Sequence, residues 1–190
     1  FASQFDVPDY LESVTDDLAP EDRWLLAEFQ QTMHTVKEAW SNLDIYTATQ
    51  ALKTFGTGLL PSHYLEMVKS RLYDDDGAAA WTLHRTVRDF MAAFSPVCPF
   101  FTHHISSTVY GSSAVDVDAF PAPALGEVNH GTEEGTRLCA LSHDLQEFNG
   151  QTWAAKKEQG ISLNQPIEGV AVPEELAEFE ATLTRMHQLS

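Results

Sequence analysis

Glu127-Val-Asn-His130 and His103-His104 are the side chains whose spacing comes nearest to metal chemistry in this 190-residue chain. An ExxH pair sets a carboxylate and an imidazole on one helix face, but di-iron bundles need two such pairs facing each other. Only one copy is present, in a stretch rich in Gly and Pro where a surface loop is expected. Neighbouring histidines on a helix point about 100° apart, so His103 and His104 read as one half-buried and one exposed residue rather than as ligands. Cys98 and Cys139 have no metal-ligand spacing and read as reduced thiols. GxxxxGK[ST], a strand-borne GxGxxG and the GxSxG elbow of a nucleophilic serine are all missing. The chain is expected to bind rather than catalyse, with no metal or cofactor of its own.

What remains is charge. Acids outnumber bases 28 to 11, giving a net of −17. Residues 1–30 carry eight acids against Arg23, Asp74–Asp76 add three more, and residues 116–190 carry thirteen acids against four bases. Residues 31–73 and 77–115 are each net +1. An acidic surface with five Lys and an ordinary 43% apolar content reads as a surface for high salt, and an acid-poor region on it reads as a protected partner site. No apolar run approaches the ~20 residues of a membrane span, and the acidic N-terminus is no signal peptide. A cytoplasmic protein is expected. The missing initiator Met suggests a piece of a longer chain.

These groups need elements to position them. Over residues 20–43, Leu25, Phe29, Met33, Val36, Trp40 and Leu43 recur every three or four residues, which predicts one amphipathic helix starting at Pro20. A second helix is expected from Asp44 through Ala48, Leu52, Phe55 and Leu59. Gly56, Gly58 and Pro61 should kink or break it near 56–62 before helix resumes through Leu72. Further helices are expected over about 78–95, from Pro99 to Gly111, over 132–158, and from Pro173 to the end. Val115, Val117 and Phe120–Pro123 read as an extended strap, and Ile167–Val172 as a short strand. The expected organisation is a linker at 1–19, an antiparallel helical bundle at 20–112, and a strap with a small α+β junction subdomain at 113–190.

Read in order, DRWLL at 22–26, HYLEMVKSRLYDDD at 63–76, FSPVCPFFTHHI at 94–105, SAVDVDAFP at 113–121 and FNGQTWAAKKEQGISLNQPI at 148–167 form one set. The set closely resembles the anticodon-binding region of class I aminoacyl-tRNA synthetases for branched aliphatic amino acids. FASQF at 1–5 is similar to the Asn-Ala-Ser-Arg-Phe segment that follows the catalytic domain in that family. HYLEMVK and WAAKKEQGISL make the archaeal type of valyl enzyme the best match, ahead of the isoleucyl and leucyl ones. The chain departs from the family pattern at Gln4, Thr57, His103, His104, Asp116 and Phe120.

The resemblance implies a module that holds the anticodon stem-loop of valine tRNA for an ATP- and Mg-dependent catalytic domain of the same polypeptide. It implies neither DNA nor membrane as partner. Single-stranded loop bases are stacked on aromatics and read at their edges, while Lys and Arg hold phosphates. Lys37, Lys53, Lys69, Arg71, Arg85 and Arg88 lie in the two acid-poor stretches, and Arg23 with Trp24 in DRWLL. Lys156 and Lys157 are runners-up. Each cation has a competing local role: Glu66 is spaced to pair with Lys69 and Asp89 with Arg85. Trp24, Trp40 and Trp81 also suit packing. The rival readings are a metal-dependent carboxylate/His bundle enzyme and a halophilic interaction bundle without RNA.

Overall fold

The computed structural model describes residues 1–8, 18–112 and 120–190, which are mainly helical. The central element is α1 (Pro20–Ser41). Leu25, Phe29, Met33 and Val36 form its apolar stripe, and all four are buried. Pro20 occupies a position where a missing N–H costs nothing, and Asp22 reaches back to accept the Ala19 N–H at 3.1 Å. Helix α2 (Ile45–Thr54) starts at Asp44, whose carboxylate accepts the Thr47 N–H.

The break expected at 56–62 is not formed. Phe55–Tyr64 continue the rod as a π-helix with Pro61 inside it. Pro61 has no N–H to donate in any helix, and the irregularity expected here takes the form of a change in helix type rather than a loss of helix. Gly56 brings this stretch close to the next helix: a Cβ there would lie 2.7 Å from Cζ of Phe90. The rod ends in α3 (Leu65–Tyr73) and returns as α4 (Gly77–Phe94). Asp76 caps α4 by accepting the N–H groups of Ala78 and Ala79. Helix α5 (Pro99–Tyr110) stops at Gly111, whose φ of 65° is left-handed, as the sequence suggests.

Val115 and Val117 of the expected strap lie outside the described residues; Phe120–Pro123 run without regular structure. The single helix expected over 132–158 is two, α6 (Glu133–Ala140) and α7 (Ser142–Glu158). At Leu141 the N–H turns to Leu138 O, a tight i→i+3 bond that interrupts the ladder. The chain's last helix opens as a 3₁₀ segment, Glu174–Phe179, before α8 (Glu180–His187).

The α+β character expected of 113–190 requires correction. Among the described residues the β pairing is a single parallel bridge between Ile167 and Leu189. No extended neighbour completes a ladder, and Gly169 turns the chain with φ 76°. The remaining contacts pack one continuous core. It runs from Trp24 through Leu72 and Trp81 to Leu145 and Leu183, with α1 touching α2, α4, α6 and the 3₁₀ segment.

Candidate nucleic-acid interface

Most of the cations that the sequence singles out are engaged inside the protein. Arg71 is the most deeply engaged. Its guanidinium donates to Glu21 Oε1 at 2.8 Å, Asp22 Oδ2 at 2.8 Å and Asp76 Oδ2 at 2.9 Å, joining α1, α3 and the start of α4. Asp22 has no exposed surface and also accepts the Tyr64 hydroxyl at 2.8 Å. Burial pushes its carboxyl up from the usual range, while Arg71 and Tyr64 pull it back.

Arg85 is buried, donating to Asp89 Oδ2 at 2.7 Å and to Ala122 O at 3.3 Å. Arg88 reaches the other oxygen of Asp89 at 3.3 Å. The two arginines of the acid-poor stretch 77–115 thus share the one carboxylate of Asp89. Arg23 lies 3.2 Å from Glu127 and 3.5 Å from Glu134. Trp24 is core, its indole N–H donating to Ser142 Oγ at 2.7 Å. Lys156 is buried too, and its ammonium donates to the carbonyls of Leu163, Gln165 and His187 at 2.7–2.8 Å.

Lys37, Lys53 and Lys69 are exposed. Lys69 has Glu66 at 3.5 Å, whereas Lys37 and Lys53 have no ion pair among the described residues. Lys157 is also exposed. The ExxH residues diverge: Glu127 faces Arg23, and His130 stacks on His34 with ring centroids 3.7 Å apart. His143, Asp144 and Glu147 come together on the surface in the first two turns of α7, near the end where the helix dipole opposes a cation.

The structure adds a surface that the charge pattern does not reveal. Between α1 and α2 runs a groove of about 560 Å³, with Gln31, Thr32 and Thr35 on one wall and Tyr46, Gln50 and Thr54 on the other. Residues 45–65 contain no acid. Tyr46 is 73% exposed. The signal for it was available, since Tyr46 lies off the apolar stripe of Ala48, Leu52 and Phe55 that buries α2.

Residues 22–172 match the family model described as the anticodon-binding domain of tRNA ligase. Valine–tRNA ligase of Pyrobaculum aerophilum is 34% identical over 182 residues, covering 91% of this chain and 22% of that protein. The Aeropyrum pernix enzyme of the same name is 30% identical over 182 residues, 90% of this chain and 21% of that one. The Saccharolobus solfataricus enzyme is 29% identical over 146 residues, 77% and 17% respectively. The chain spans about a fifth of the length of these relatives.

Proposed function

The chain belongs to the anticodon-binding domain family of tRNA ligases, and from this we propose that it holds the anticodon stem-loop of valine tRNA. The match over 22–172, with valine–tRNA ligases among its relatives, carries the reading. The chain serves a cytoplasmic enzyme that joins valine to its tRNA using ATP and Mg, with the chemistry in a catalytic domain of the same polypeptide. Its own part is to set the register of the tRNA. Residues 20–112 are the anticodon-binding unit, and 113–190 the junction that braces it. Lys37, Lys53 and Lys69 are the phosphate contacts; Arg23 joins them by exchanging Glu127 for phosphate.

The acidity supports a protein that works in high salt, where a Debye length of ~3 Å at about 1 M removes long-range repulsion. The chain should therefore bind valine tRNA with a shallow salt dependence. Four phosphate contacts correspond to a slope of about −3 to −4 in log K against log salt. A titration from about 0.5 to 3 M KCl measures this, and a slope implying about six or more contacts would contradict it. In the same titration, a tRNA carrying another anticodon should bind more weakly. Equal binding would remove the anticodon from the reading.

A further inference from the structure

We propose that the α1–α2 groove takes an unstacked nucleotide of the RNA loop and reads it with uncharged groups. This rests on the anticodon reading and gives it a place. Tyr46, Gln50, Lys53 and Thr54 follow one another at i, i+4, i+7 and i+8, which sets them on one face of α2. None of their side chains makes a hydrogen bond or ion pair among the described residues, in a protein whose arginines near the core are nearly all engaged. Opposite them, Thr32 and Thr35 donate their hydroxyls to Glu28 O and Gln31 O, which leaves their oxygens able to accept.

The lining suits a nucleotide in each of its parts. Tyr46 offers an exposed ring for stacking. Gln50 and Thr54 offer donors and acceptors for a base edge or a ribose hydroxyl, and Lys53, exposed on the same helix just outside the lining, a single phosphate contact. The volume falls within the ~300–1,000 Å³ of small-ligand sites.

Charge identifies the occupant. One wall of the groove, α2 with the π-helix, holds no acid from 45 to 65, on a chain of net −17. Glu28, the carboxylate in the lining, is occupied by the Ser142 hydroxyl. Asp44, outside the lining, keeps its charge and turns it to the Thr47 N–H in capping α2. A polyanion is thus admitted here while the surrounding surface repels it, and the contact uses neutral groups that salt does not screen.

The test uses the full chain and a stem-loop RNA of valine tRNA carrying 2-aminopurine at successive loop positions. Binding to wild type should change the fluorescence at one position. Tyr46→Ala should weaken binding about tenfold or more at every salt concentration, leave the salt slope unchanged and abolish the fluorescence change. Tyr46→Leu, which keeps apolar bulk without a ring, should behave the same way. Lys53→Gln should instead lower the slope by about 0.7. If both Tyr46 variants and Gln50→Ala bind as wild type does, the groove is not the site, although the anticodon reading stands. If wild type itself does not bind the stem-loop, the reading beneath this proposal falls with it.

Discussion

Replacing Arg71 with Met should remove about 3–5 kcal/mol of folding stability, because it strands buried carboxylates rather than deleting a surface charge. Glu21 and Asp22 are 2% and 0% exposed, and Arg71 is the guanidinium bonded to both. Without it Asp22 keeps the Tyr64 hydroxyl and the Ala19 N–H but loses its balancing charge. Burial, already the largest influence on that carboxyl, would then act with little opposition. Arg71→Lys should lose less, since an ammonium keeps the charge but not the fork that spans three carboxylates. Arg71→Met combined with Asp22→Asn should recover part of the loss. Because the pairs are buried, the effect should persist in high salt, where exposed pairs are screened. Urea unfolding in low and high KCl measures this. A loss below about 1 kcal/mol would place Arg71 among ordinary surface pairs.

Acidification should expose a second dependence. His187 has no exposed surface; its Nε2–H donates to Asn149 Oδ1 at 2.8 Å, and Asn149 in turn donates to His63 Nδ1 at 3.2 Å. Nδ1 of His187 has no partner among the described residues, which suits a neutral ring carrying its proton on Nε2. Burial, and then the Lys156 ammonium, pull the His187 pKa down from 6.5 to about 4. Protons therefore bind the unfolded chain better between these values. The stability that the neutral ring contributes is complete above pH 6.5 and is lost as pH falls towards 4.

Between pH 7 and 5 this amounts to about 2 kcal/mol. Burial lowers His63 and His84 as well, so they act in the same direction. The raised carboxyls of Asp22 and Glu28 act in the opposite one. The clean measurement is the difference between wild type and His187→Gln. Wild type should lose about 2 kcal/mol more than the variant over that interval, and parallel curves would show that His187 does not titrate as its surroundings require.

Helix positions were legible in the sequence where apolar spacing and end signals agreed. Pro20, Asp44, Pro99 and Gly111 each mark a real boundary, because each acts through its own backbone or side chain within a turn. The failures share a different cause. Pro61 and Gly56 read as breakers, yet packing on Phe90 and a change of helix type absorb them. Ile167–Val172 alternates correctly, but a strand also needs a partner, and alternation says nothing about one.

The site was less legible. Net charge by segment pointed to 77–115, where Arg85 and Asp89 cancel each other in the interior. Lys156 looked like a surface cation, although the carbonyls of Leu163, Gln165 and His187 enclose it. Tyr46 and Gln50 carry no charge, so a search guided by charge passed over them. Their significance comes from what does not bond to them.

The π-helix has a consequence for how the rod is aimed. An α-helix turns about 100° per residue, and wider turns rotate each residue by less. Phe55–Tyr64 therefore act as a phase shifter between α2 and α3, setting the clock angle at which Arg71 arrives opposite Asp22. Removing one residue from this stretch would retain every charged group in the protein, yet it would bring Leu72 to the place of Arg71. The ten residues contribute an angle as well as a surface, and the anchoring of α1 depends on that angle.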